Sequence, residues 1–153
     1  MNIPTIIPIY TALLALGYFV LSLRVSFVRR EFSIGLGDGG NTKLERAIRA
    51  HANFAEYVPI TLLLLAALEF QGAPAWLLHF FCIVLIIGRV LHAVGISPEN
   101  DNLLFRKLGM VCTLTPTVLA AFVLLIKTPA LFIIALLTLP AFIYYIAPLK
   151  PSK

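Results

Sequence analysis

The sequence predicts an all-α integral membrane protein: a four-helix transmembrane bundle with a fifth, C-terminal apolar helix. Three observations predict it. Hydrophobic residues make up 60% of the 153 residues and charged residues 12%, against roughly 25% charged in soluble domains. The apolar residues are gathered into runs close to the ~20 residues that a helix needs to cross a bilayer. Charged residues are concentrated between these runs, and from Thr42 to Pro59 a polar stretch shares one helix with the apolar segment Ile60 to Leu68. In lipid the outside of the molecule is apolar, so its polar groups are what must be enclosed.

The whole chain reads as a single membrane domain. The first helix is expected from about Ile3 to Val28, with Pro4 and Pro8 tolerated in its first turns. Arg24, Arg29 and Arg30 mark its boundary with water. The loop from Phe32 to Asn41 contains Gly35, Gly37 and Gly40 in G-x-G-x-x-G spacing. That motif binds dinucleotides only after a strand in a βαβ unit, so here it reads as a flexible connector.

The second helix is expected over 42–70. Thr42 with Glu45 three residues on has the pattern of a capping box. Pro59 removes a backbone donor, so a bend is expected near Glu56. Gln71 to Pro74 is a tight turn, and the third helix follows over 75–96, with Arg89 and His92 near its far end. After the loop Ser97 to Asp101 comes a fourth helix over about 102–126, carrying Arg106 and Lys107 early. Ala130 to Ala147 is the fifth run; its 18 residues reach about 27 Å as a helix, just enough to span.

Charge sets the orientation. Arg24, Arg29, Arg30, Lys43, Arg46 and Arg49 flank the first loop, the turn at Gln71 has no Lys or Arg, and Arg106 and Lys107 follow the third loop. Cytoplasmic flanks are rich in Lys and Arg, so the first and third loops are expected inside and Met1 outside. A spanning fifth helix returns Lys150 and Lys153 to the inside, which favours five spans over four. The net charge of +5 is accounted for by these flanks and implies no nucleic-acid partner. No cleavable signal peptide is expected, because the first run lacks a basic leader and a small-residue cleavage pattern. Cys82 and Cys112 lie in apolar runs and read as buried thiols, and no Cys/His spacing suggests a metal.

The chemistry concentrates on the second helix. At about 100° per residue, Arg46, Arg49, Asn53 and Glu56 form one polar stripe, while His51 points almost the opposite way. Arg89 and His92 come to a similar depth on the third helix. Ionisable groups inside a bilayer pair with one another or mark a site, and Glu56 with Arg89 is the expected ion pair, structural or functional. Arg29, Arg46, Arg49 and Arg106 outnumber the nearby acids Glu45 and Glu56. Such a surplus suits either headgroup anchoring or an anionic ligand, since guanidinium grips carboxylate in bidentate fashion.

The segment ERAIRAHANFAEYVP resembles the signature of the MAPEG family, membrane-associated proteins of eicosanoid and glutathione metabolism. The resemblance extends to the Arg-Arg pair ending the first helix, to GRVLH on the third and to FRKLG opening the fourth, about Leu21 to Thr113 in all. The GDGG loop and short length resemble the bacterial branch, which implies the bacterial inner membrane. The resemblance implies a homotrimer of four-helix subunits binding glutathione between neighbours near the cytoplasmic face. It implies glutathione contacts from Arg29, Arg49, Asn53, Glu56 and Tyr57, a site-lining role for His92, and thiolate stabilisation by Arg106. Ile96 and Met110 stand where better-known members carry tyrosines, Lys107 where some have serine, and Ala52 where one subgroup has another arginine.

Two functions follow as expectations. One is a membrane-bound glutathione transferase or peroxidase, with glutathione as co-substrate and a lipophilic electrophile arriving from the membrane lipid. The other is a non-catalytic trimer that binds glutathione or a lipid headgroup. A transporter finds no support, because the sequence shows no inverted repeat or paired interrupted helices.

Overall fold

The computed structural model describes residues 4–97 and 102–127, together with 133–134, 136–140 and 143. Four long helices run along the described chain: α1 (Ile7–Glu31), α2 (Thr42–Phe70), α3 (Ala75–Ile96) and α4 (Leu103–Ile126). All four are long and apolar enough to cross a membrane. Of the fifth apolar run, residues 133–134, 136–140 and 143 are helical, and the remainder of 130–147 lies outside the described residues.

Helix α1 starts at Ile7 rather than Ile3, and its first turn is held from a distance. The Glu69 carboxylate, near the end of α2, accepts the backbone N–H groups of Thr5 and Ile6 at 2.7 Å and of Ile7 at 2.9 Å. These are donors that a helix start leaves without intrahelical partners, and a carboxylate there also meets the positive end of the helix dipole. At the other end α1 runs on through Arg29 and Arg30 to Glu31. The last apolar residue marks the water boundary, and helical hydrogen bonding continues beyond it.

The cap of α2 sits one residue earlier than the sequence pattern suggests. Asn41 is the N-cap, and its side-chain oxygen accepts from the Leu44 N–H at 2.9 Å. Thr42 is already inside the helix, so the Thr42–Glu45 capping box does not form; Asn is at least as good a cap as Thr. The helix continues past Pro59 to Phe70. His51 faces α1, where Nε2 lies 2.9 Å from Ser22 Oγ and the ring stacks on Tyr18.

The closest helix pair is α3 with α4, because glycines remove the side chains that would separate them. A β-carbon at Gly109 would lie 2.5 Å from His92 N and 2.8 Å from Gly88 O, and one at Gly95 would lie 2.8 Å from Arg106 N. Backbone therefore meets backbone along this seam. It presses the first turns of α4 against the last turns of α3, and so brings Arg106 to His92 and Ile96.

Apolar packing completes the bundle. Leu65 and Leu68 of α2 meet Leu78, Phe81 and Cys82 of α3 and Ala120 of α4 in one cluster, while Leu14, Phe54, Val58 and Leu85 form a second. The outward faces are apolar as well: Leu16, Leu63 and Val111 are each at least 60% exposed, which suits lipid rather than water. Within the bundle, the hydroxyls of Thr61 and Thr117 lie 2.6 Å apart. Each is also within reach of a carbonyl one turn back, Tyr57 O and Thr113 O.

Candidate functional site

The polar stripe of α2 opens into a cleft of about 490 Å³ between α2, α3 and α4. Helix α2 contributes Glu45, Arg46, Arg49, Asn53 and Glu56, α3 contributes His92 and Ile96, and α4 contributes Arg106. The three- and four-residue spacings on α2 put its members on one wall. The glycine seam brings the opposite wall within reach. Arg49 and Glu56 are exposed into the cleft, Arg46, Asn53 and Arg106 are half-buried, and His92 and Ile96 are buried.

The formal charges on the walls are three arginines against two glutamates. Arg46 serves the bundle as well, since its Nη1 reaches the Ile96 carbonyl at 3.4 Å, at the end of α3. Arg106 lies in the first turn of α4, where the helix dipole adds positive potential. Chemically, the walls offer guanidinium groups to an anion such as a carboxylate and glutamates to a cation.

Arg89 is not where charge matching would put it. It is buried and points away from Glu56. Nη1 donates to Asn53 Oδ1 at 2.6 Å, and Nε and Nη2 donate to Thr113 Oγ1 at 2.9 and 2.5 Å. The expected Glu56–Arg89 ion pair is therefore absent, whereas Lys43 and Glu31, both well exposed, form a salt bridge at 2.7 Å. The reason is positional. Glu56 sits on the cleft wall, whereas the Arg89 side chain runs under the cleft between α2 and α4 to the buried Thr113 hydroxyl.

Of the remaining site residues, Arg29 lies outside this cleft. It donates to Gly37 O at 2.8 Å and Ile34 O at 3.4 Å, tying down the first loop. Tyr57 also lies outside it, with its ring centre 6.0 Å from the Arg89 guanidinium carbon. Sequence reading missed Glu69, His79 and Tyr10 at the opposite end of the bundle, where Tyr10 Oη lies 2.9 Å from His79 Nδ1. An acid in the last turn of a membrane helix is the signal that points to Glu69. Arg24 is likewise more than a boundary marker, because it hydrogen-bonds Ser97 at the end of α3.

Four apolar helices, three of which line a basic cleft at one end, define an integral membrane protein with a site suited to a polar anion. A family model for MAPEG matches residues 7–126. The chain belongs to the MAPEG family, membrane proteins of eicosanoid and glutathione metabolism. It is similar to the inner membrane protein YecN of Escherichia coli strain K12, with 36% identity over 105 residues covering 69% of this chain and 79% of the relative. The same protein from Escherichia coli O6:H1, strain CFT073, matches to the same extent.

Proposed function

We propose that this protein binds glutathione in the α2–α3–α4 cleft and uses it as a transferase or peroxidase on a lipophilic electrophile that enters from the bilayer. The observation that carries the proposal is the convergence of Arg49, Asn53, Glu56, His92 and Arg106 on one cleft in a chain of this family. Glutathione presents two carboxylates, an ammonium and a thiol. Arg49 and Arg46 suit the carboxylates and Glu56 suits the ammonium. Arg106 is the group that stabilises the sulfur as a thiolate, since a nearby cation lowers a thiol pKa. In conjugation the thiol proton leaves to water and the thiolate forms a C–S bond at the electrophilic carbon. The bond broken there is either that to a leaving group, which departs with the electron pair, or a π bond, whose electron pair takes up a proton from water.

The working unit in this reading is a homotrimer in the bacterial inner membrane, with the cleft on the cytoplasmic side. The arginines around the first and third loops support the orientation, and the YecN likeness supports the membrane. Arg29 lies outside its own subunit's cleft, where it holds Gly37 O and Ile34 O of the first loop. A second reading, binding without catalysis, is favoured by Ile96. It places a buried aliphatic side chain in the cleft where better-known members have a hydroxyl.

Calorimetry with glutathione on the detergent-solubilised protein, followed by ultraviolet absorbance of the thiolate, tests the proposal. Saturable binding with a thiolate band supports the enzyme. Binding without the band supports the second reading, and the absence of binding overturns glutathione as the ligand in either reading.

A further inference from the structure

Arg89 is a buried charge, 3% exposed, whose hydrogen-bonding partners are all neutral. Nε and Nη2 donate to Thr113 Oγ1, Nη1 donates to Asn53 Oδ1 at 2.6 Å and to Asn53 O at 3.3 Å, and Nη2 approaches Met110 Sδ at 3.9 Å. Thr113 spends its own proton on Gly109 O at 2.8 Å, so its oxygen is left to accept. The five N–H groups of the guanidinium thus have acceptors, while among the described residues no carboxylate is paired with it.

A guanidinium only donates, so the side-chain atom of Asn53 that faces Arg89 must be the oxygen. The amide nitrogen, with its two N–H groups, is turned the other way. Asn53 lines the cleft and Arg89 does not, so the side turned from Arg89 is the cleft side. Without a donor-only neighbour, a buried amide can rotate and present either end.

We infer that Arg89 is a positioning residue: it locks the Asn53 amide with both donors toward the cleft, so the floor accepts a carboxylate or peptide carbonyl and rejects an ammonium. The inference rests on glutathione as the occupant and deepens that reading. Asn53 takes a carboxylate or carbonyl oxygen of the tripeptide, and the ammonium is left to Glu56. The unbalanced charge of Arg89 beneath the floor acts in the same direction.

Asn53→Asp tests this with the fold preserved. The new carboxylate beside the guanidinium stays charged and gives Arg89 an ionic partner, while its second oxygen puts an acceptor where donors stood. Calorimetry with glutathione is expected to show affinity reduced by about 100-fold, the scale of a charged hydrogen bond lost and a repulsion gained. The thermal midpoint is expected to stay at or above that of the wild type. Arg89→Lys, which keeps a donor-only cation on Asn53, should bind within a few-fold of wild type. Arg89→Met, which frees the amide to rotate, should lose about tenfold or more. Wild-type binding together with equal affinity in folded Asn53→Asp or Arg89→Met overturns the role of Arg89 alone. No binding by the wild type overturns the glutathione reading and this inference with it.

Discussion

A single methyl group at Gly109 is expected to force α3 and α4 apart. The β-carbon of Gly109→Ala would meet His92 N at 2.5 Å, with Gly88 O and His92 Cα at 2.8 Å. All three are backbone atoms, so no side chain can swing aside. Reaching ordinary contact at 3.4 Å from 2.5 Å requires a shift of about 0.9 Å between two helices whose other contacts are already made. Overpacking of this kind costs about 1–3 kcal/mol, and backbone on both sides places it at the upper end. Alanine returns about 1 kcal/mol through helix propensity. The net loss of about 2 kcal/mol corresponds to a fall of roughly 4–8 °C in the thermal midpoint for a chain of this size.

Gly17→Ala is the matched control. Its β-carbon would meet Phe54 only at 3.8 Å, an ordinary contact, so the propensity gain stands alone and the midpoint should rise by about 2–4 °C. Thermal unfolding in one detergent, read by loss of helical circular dichroism, compares the two. If Gly109→Ala melts at or above wild type, or if the two variants move together, the backbone seam does not hold the bundle. Because His92 and Arg106 flank the seam, Gly109→Ala should also weaken glutathione binding, whereas Gly17→Ala should not.

Three further outcomes are expected. Arg106→Ala should keep glutathione affinity within a few-fold by calorimetry, yet lose the ultraviolet thiolate band and reduce turnover by about 10²-fold, the scale for losing one charge-stabilising group. Glu69→Gln replaces one of two acceptor oxygens facing Thr5, Ile6 and Ile7 with a donor. It should cost about 2 kcal/mol and speed hydrogen exchange at those three amides without altering the cleft. Lys43→Ala removes the exposed bridge to Glu31 and should leave the thermal midpoint almost unchanged, because such pairs contribute about 0–1 kcal/mol.

The helices and the cleft walls were legible because periodicity is a local property. Arg46, Arg49, Asn53 and Glu56 share a wall through their spacing alone, and the turn residues after Phe70 bound α2 and α3. Depth and distance were not legible. Pairing Glu56 with Arg89 followed charge sign, but the guanidinium runs inward to Asn53 and Thr113, and no spacing rule reports which way a long side chain turns. Gly88 and Gly109 form the seam from positions on different helices, and a lone glycine on an apolar helix carries no mark of its partner. The Thr42–Glu45 pattern was displaced by Asn41, an equally good cap one residue away. Arg29 is committed to the first loop within the subunit, which a motif match alone does not show.

The latch at Glu69 has a consequence for the order in which the protein is made. The amides of Thr5, Ile6 and Ile7 leave the ribosome early, while the carboxylate that receives them follows more than sixty residues later. At about 5–20 residues per second, roughly 3–12 s of synthesis separate donors from acceptor. During that interval the first turn of α1 lacks the acceptor it has in the finished fold, so α1 completes its fold only when the end of α2 has come to meet it. The last turn of the second helix thus closes the first, and a chain stopped before Glu69 leaves α1 without the acceptor for its first turn.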